Sequence, residues 1–279
     1  MSNDKKVIAI ASFTFAHGAQ FRYSRLIESH ITNEYTLHRV SVYTGEYKKE
    51  RGILENLLET IRPYALICIC IKPAADILDP YIKAGIPVVL IDEEIPGFTS
   101  ISTDNVEGGY IAAQYLIKTG RKNIGIVSGR LNVEGSFTAD KRFEGFKKAL
   151  GENNMSFDEN NFFTARTYSH NDGVEAMKKI PLLTPRLDAI FCPAGDICAS
   201  GILSGAAEAN IIIPRDLALI GYDDNDLARC TKPPLTTVMQ PMDEATVKAL
   251  ECVTKNREKS LNGGETIILK PQLIVRESA

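Results

Sequence analysis

The residues able to do chemistry in this 279-residue sequence gather just after its short apolar runs. Phe13 to Tyr23 is rich in aromatics, and Asp104 and Asn105 follow the run around Ile101. Gly129 to Arg142 carries Ser136, Thr138 and Arg142; then come Arg166, Thr167 and Tyr168, Gly195 with Asp196, and Asp223 with Asp224. Carboxylates and a guanidinium exchange paired hydrogen bonds with vicinal hydroxyls, while a ring such as Tyr168 covers an apolar face. The set suits recognition of a polyhydroxylated or heterocyclic small molecule. Bond-making machinery has no such signature: GxSxG, GxxxxGK[ST] and HExxH are absent, and no GxGxxG follows the first apolar run. His17, His30, His38 and His170 show no metal or triad spacing, and the six cysteines form no CxxC. No catalytic residue, metal or cofactor is expected.

Each candidate also has a plainer role. Asp104, with Glu107 three residues on, is placed to cap a helix, with or without a ligand contact. Asp223 and Asp224 could form a solvated turn or, with Asp226, a cation site, although the glycine and distal glutamate of a calcium loop are missing. Arg142 is read as opening a helix whose Phe143, Phe146 and Leu150 face a core. A cation is electrostatically unwelcome in a first turn, which favours an external task for it. Tyr168 could simply pack.

The elements that must hold these residues alternate. Val7 to Ser12, Leu37 to Tyr43, Ala65 to Ile71, Pro87 to Asp92, Asn123 to Ser128, Ala189 to Cys192 and Leu217 to Tyr222 are near-continuous apolar runs, the pattern of parallel strands buried on both faces. Between them lie helical stripes, one through Ile53, Leu54, Leu57, Leu58 and Ile61, another through Ile111, Ala112, Tyr115 and Leu116 that stops at Gly120. Alternation of this kind predicts doubly wound α/β layers, whose ligands sit beyond the carboxyl ends of the strands. The pattern also repeats. Arg62 to Cys68 resembles Arg186 to Cys192 at an offset of 124 residues, Ile86-Pro87 resembles Ile213-Pro214 at 127, and the first strand resembles the one at Ile124 at 117. Two similar α/β halves follow. After Gly221 come a strand at Thr236 to Gln240, a helix at Glu244 to Lys255 and one or two strands within Thr266 to Arg276.

Composition narrows the class. With 44% apolar and 24% charged residues the chain is an ordinary globular one, long enough for two lobes. Thirty-two basic against 35 acidic residues give a net charge of −3, the wrong sign for a surface that neutralises phosphates by itself. No apolar stretch approaches the ~20 residues that span a bilayer, and Met1 to Lys6 lacks the apolar core of an export signal, so a cytoplasmic protein without membrane contact is expected.

Six segments resemble the effector-binding core of LacI/GalR-type bacterial transcriptional regulators. They are STDNVEGGYIAAQYLI at Ser102 to Ile117, RFEGF at Arg142 to Phe146, IFCPAGDICASG at Ile190 to Gly201, IPRDLALIGYDD at Ile213 to Asp224, PPLTTVMQP at Pro233 to Pro241 and LIVRES at Leu273 to Ser278. The resemblance spans nearly the whole chain. It implies a periplasmic-binding-protein-like α/β fold of two doubly wound subdomains joined by three crossovers, residues 7–118 plus 242–268 and residues 119–241 plus 269–279, with a small effector in the cleft. It implies Arg142 as the guanidinium that anchors the effector, Asp223 as the carboxylate ending the Gly-Tyr-Asp motif, and Tyr168 as the stacking ring. Ser136 and Thr138 fall on loop positions that approach the ligand, Asp104 on the first subdomain's acidic contact, Tyr23 and less directly Arg22 on an aromatic contact, and Met242 where some members place a phenylalanine. The family's effector is usually a sugar or sugar phosphate, and in the purine-repressor branch a purine base. Gly195-Asp196 stands where many sugar-responsive members carry Asn-Asp, and the purine branch tolerates this glycine; family frequency favours sugar.

The family's helix-turn-helix and hinge helix should precede Val7, and the expectation is that the DNA-reading part was cut away. The chain is then expected to be a homodimeric effector module that controls operator DNA through that missing domain, pairing through helices near Ala75 to Ala84 and Ile202 to Ala209; ordinary burial within each lobe is the alternative. Two rivals remain, a free-standing solute-binding protein of a transport system and a cleft enzyme.

Overall fold

A computed structural model describes residues 5–15, 18–42, 47–132 and 137–279. The chain divides into two compact units, Met1–Thr103 with Pro241–Leu269 and Asp104–Gln240 with Lys270–Ala279, and passes from one to the other three times. The first unit runs β1 (Lys6–Ser12), α1 (Gly18–His30), β2 (Tyr35–Ser41), α2 (Tyr47–Thr60), β3 (Ala65–Ile69), α3 (Ala75–Lys83), β4 (Val88–Ile91) and β5 (Thr99–Thr103). The second runs α4 (Asn105–Lys118), β6 (Ile124–Ser128), α5 (Phe137–Glu152), β7 (Phe162–Thr164), α6 (His170–Lys179), β8 (Ala189–Phe191), α7 (Asp196–Glu208), β9 (Ala218–Tyr222), α8 (Asp226–Cys230) and β10 (Thr236–Met239). The chain returns to the first unit with α9 (Met242–Thr254), α10 (Arg257–Leu261) and β11 (Thr266–Leu269), and ends in the second with β12 (Gln272–Ile274).

The internal repeat of the sequence is a repeat of topology. The sheets have the orders β11-β5-β4-β3-β1-β2 and β12-β10-β9-β8-β6-β7, the same permutation twice. Every pairing is parallel except β10 with β12. Alternate residues of each central strand feed opposite layers: Ile8 and Ile10 join one cluster while Ala9 and Ala11 join another, and Val127 parts from Ile124 and Ile126 in the second unit. This double burial is why the runs read as continuous hydrophobicity rather than alternation. β2 departs from that expectation: half-buried and exposed residues mix along it, because it is the outermost strand.

The boundary expected at residue 118 is corrected by α4, which belongs to the second unit. Gly120 does end the helix, with its N–H donating to the Ile117 carbonyl and φ at +89°. Packing sets the division instead. A Cβ on Gly109 would overlap the carbonyl oxygen of Arg142, and one on Gly145 that of Val106, so α4 and α5 meet backbone to backbone. Ala112, Ala113 and Leu116 then bury against Ile126, Phe146 and Ile220.

Among the described residues no helix is long and apolar enough to cross a membrane, and no group of three or more His, Cys, Asp or Glu gathers as metal ligands would. The apolar faces of α3 and α7, expected at a dimer contact, are buried inside their own units through Ile77, Leu78 and Tyr81 and through Ile202, Leu203 and Ala206.

Candidate functional site

In the second unit the polar candidates collect around the carboxyl ends of β6, β7, β8 and β9. Arg142 stands in the second turn of α5, which begins at Phe137. The sequence reading of it as a first-turn cation is therefore corrected, and the helix dipole gives it no outward bias. Its side chain is only 9% exposed. A buried guanidinium needs partners to offset its lost hydration. Nε donates to Asn105 Oδ1 at 2.7 Å, Nη1 donates to the Pro193 carbonyl at 2.8 Å, and the guanidinium carbon lies 3.7 Å from the Tyr222 ring centroid. The Tyr222 hydroxyl donates to the same Asn105 oxygen at 3.2 Å.

Pro193 lies in the loop from β8 to α7, and two residues on Gly195 takes φ +102°. A Cβ there would lie 3.0 Å from Asp223 Oδ2, so the backbone of this loop sits directly over the carboxylate. Asp223 and Asp224, just past β9, both have left-handed backbones, with φ 102° and 47°. The turn they make is no solvated one. Gln240 Nε2 donates to Asp223 Oδ1 at 2.6 Å, and Asp224 is buried with Arg276 Nη2 donating to it at 2.6 Å. Beneath them Asp196 is fully buried: Thr237 Oγ1 donates to it at 2.6 Å and the Asn225 N–H at 2.9 Å. Burial first, and the neighbouring Asp223 charge second, push its carboxyl up to about 8 against the pull of those two bonds. Gly221 is a glycine for this reason, since a Cβ would overlap Asp196 Oδ1.

Tyr168 follows β7 with φ 56° and is 46% exposed, its hydroxyl lying where a Cβ on Gly129 would be. Its loop is held by Asp172, whose carboxylate accepts from the N–H groups of Thr167 at 2.9 Å and Ser169 at 3.0 Å. Burial works to raise that carboxyl, but these backbone bonds prevail and hold it below the usual range. Thr138 is half-buried in the first turn of α5. Ser136 lies outside the described residues.

One expectation changes. Asp104 belongs to the second unit rather than the first, and its Oδ1 caps α4 by accepting from the Glu107 N–H at 2.9 Å. Tyr23 and Met242 are each 1% exposed in the hydrophobic core of the first unit. The aromatics that the same segment does expose are Phe13 and Phe21, 45% and 47%. Sequence reasoning gave no role to Asn105, Tyr222 or Gln240, although all three lie inside motifs it singled out; only tertiary contacts reveal what they hold.

A family model described as a periplasmic binding protein-like domain matches residues 113–279. The HTH-type transcriptional repressor PurR of Photobacterium profundum is 31% identical over 237 residues, covering 84% of this chain and 69% of that protein. The repressor of the same name from Histophilus somni (strain 2336) is 34% identical over 178 residues, 64% of this chain and 52% of that protein, so the match spans about half of that relative's length. A solved LacI family transcriptional regulator from Enterococcus faecium, with bound ribose, has a TM-score of 0.83 at 20% identity and covers 98% of each chain, a likeness of fold.

Proposed function

This chain belongs to the LacI/GalR family as its effector-binding core, with the periplasmic-binding-protein-like fold, and from that premise we propose that it binds a purine base at the strand ends of its second unit. A guanidinium matches the ring nitrogen and carbonyl oxygen on one edge of a purine, and a carboxylate accepts from its ring N–H groups. Arg142 takes the first task, Asp223 the second, Tyr168 offers its ring face, and Thr138 lies on the same helix as Arg142. The observation that carries the reading is Gly195: its backbone crosses Asp223 with Cβ room of only 3.0 Å, so the amide side chain that many sugar-responsive members place there is missing. The PurR name of the relatives points the same way. A sugar is the second reading, favoured by the ribose held in the Enterococcus faecium regulator of like fold.

Effector binding then shifts a population between DNA-binding states, which takes only a few kcal/mol of differential affinity. We place this module in a cytoplasmic homodimeric regulator whose helix-turn-helix part does the operator reading; the relatives' name, HTH-type transcriptional repressor, supports the helix-turn-helix part. The effector leaves unchanged.

A thermal-shift series with guanine, hypoxanthine and D-ribose tests this. A ligand at 100 times its Kd stabilises the native state by about 2.7 kcal/mol, a rise of several degrees in a chain of this size. A shift with a purine and none with ribose is expected, with the base recovered intact; the reverse pattern selects the sugar reading. Arg142→Ala should abolish the response while leaving far-ultraviolet circular dichroism unchanged, and a full-size response in that variant removes Arg142 from the site.

A further inference from the structure

We propose that Asn105 is the positioning residue for Arg142: without touching the effector, it sets the plane in which the guanidinium meets it. The inference rests on the reading that Arg142 contacts the effector. Asn105 is the first residue of α4 and is buried, one place after the capping residue Asp104, so the helix start fixes its backbone. Its single amide oxygen receives two donors, Arg142 Nε at 2.7 Å and the Tyr222 hydroxyl at 3.2 Å. The second bond matters for the first. The Tyr222 ring is the surface on which the guanidinium rests, at 3.7 Å, so one oxygen orients both the cation and the plate beneath it. The Pro193 carbonyl supplies a third point of attachment at Nη1. Three fixed points define the plane of a rigid guanidinium.

The reach is set by glycine. Gly109 lets the α4 backbone approach the Arg142 carbonyl, and Gly108 leaves room for the Tyr222 hydroxyl. Across that short gap the asparagine side chain spans the distance to Nε; serine is too short, and glutamine adds a methylene for which the closely packed helices leave little room. Asparagine also differs from aspartate in kind. Asn105 Oδ1 and the Pro193 carbonyl are both neutral acceptors, which orient a cation without adding opposite charge to it, so its field is kept for an electron-rich ligand edge.

The first measurement needs no ligand. The side-chain Nε–H resonance of Arg142, assigned by its loss in Arg142→Ala, should exchange with solvent at least tenfold more slowly than those of exposed arginines. Asn105→Ala should remove that protection, and Asn105→Asp, which keeps an acceptor in place, should restore it. Unchanged protection in Asn105→Ala overturns the proposal. The second measurement titrates hypoxanthine, guanine and D-ribose. Asn105→Ala should weaken whichever of them binds on the order of tenfold to a hundredfold, the range for a hydrogen bond to a charged group. In an Arg142→Lys background, which keeps a cation but not the Nε–H that Asn105 holds, the same substitution should weaken it little further, whereas a merely structural loss would persist there. If Arg142→Ala itself leaves affinity unchanged, the effector reading of Arg142 fails. If Arg142→Ala destroys binding and Asn105→Ala does not, that reading stands and the positioning role falls.

Discussion

Asp196→Asn should change how the stability of the second unit depends on pH. The carboxyl is fully buried and sits at about 8, raised first by burial and then by Asp223, against roughly 4 in an unfolded chain. Between those values the folded state holds a proton that the unfolded state has released, so stability falls as pH rises. The contribution is fully present below about pH 4 and lost as pH passes through about 8. The slope is about 1.4 kcal/mol per pH unit in the middle of that window and flattens near its upper end, leaving about 2 kcal/mol between pH 6 and pH 8. For a chain of this size that is on the order of 5 °C in the midpoint of thermal unfolding. Asparagine does not titrate and keeps an oxygen for the Asn225 N–H, while its amide N–H₂ meets the Thr237 hydroxyl oxygen, which turns from donor to acceptor. The assay is thermal unfolding of both proteins at pH 6, 7 and 8. Glu93, which burial lifts to about 7, tilts both curves alike and cancels in the difference. The wild type should lose about 5 °C relative to Asp196→Asn across the range; parallel curves would show that Asp196 is ionised in the folded protein and refute the reasoning.

Other perturbations follow from the same contacts. Gly109→Ala drives a methyl into the Arg142 carbonyl and must push α4 from α5, destabilising by about 3 kcal/mol in urea unfolding. Gly52→Ala, the same change in α2 with nothing within 4 Å, should stabilise by up to about 1 kcal/mol, and equal effects at the two sites would contradict the helix-crossing geometry. Arg276→Ala takes the nearer cation from the buried Asp224, Arg229 standing farther off at 3.7 Å, and should cost about 3 kcal/mol, checked by the same unfolding curves.

What the sequence by itself determined is the class of architecture and the set of chemistry-bearing positions. Strands buried on both faces must be written as continuous apolar runs, so β1, β3, β4, β6, β8 and β9 were legible within a few residues, and the repeat at about 120-residue spacing announced two sheets of equal order. The rule that ligands meet parallel sheets at their carboxyl ends then singled out Arg142, Tyr168 and Asp223. Tertiary structure alone decided the rest. The unit to which α4 belongs depends on Gly109 and Gly145, which look like ordinary helix residues until a partner backbone lies against them. Tyr23 and Met242 are apolar enough to serve a core or a ligand, and their place in the core of the first unit is visible only in the packed structure. Asn105, Gln240 and Asp196 act through hydrogen bonds to residues 37, 17 and 41 positions away in the chain, a reach that no local spacing rule encodes.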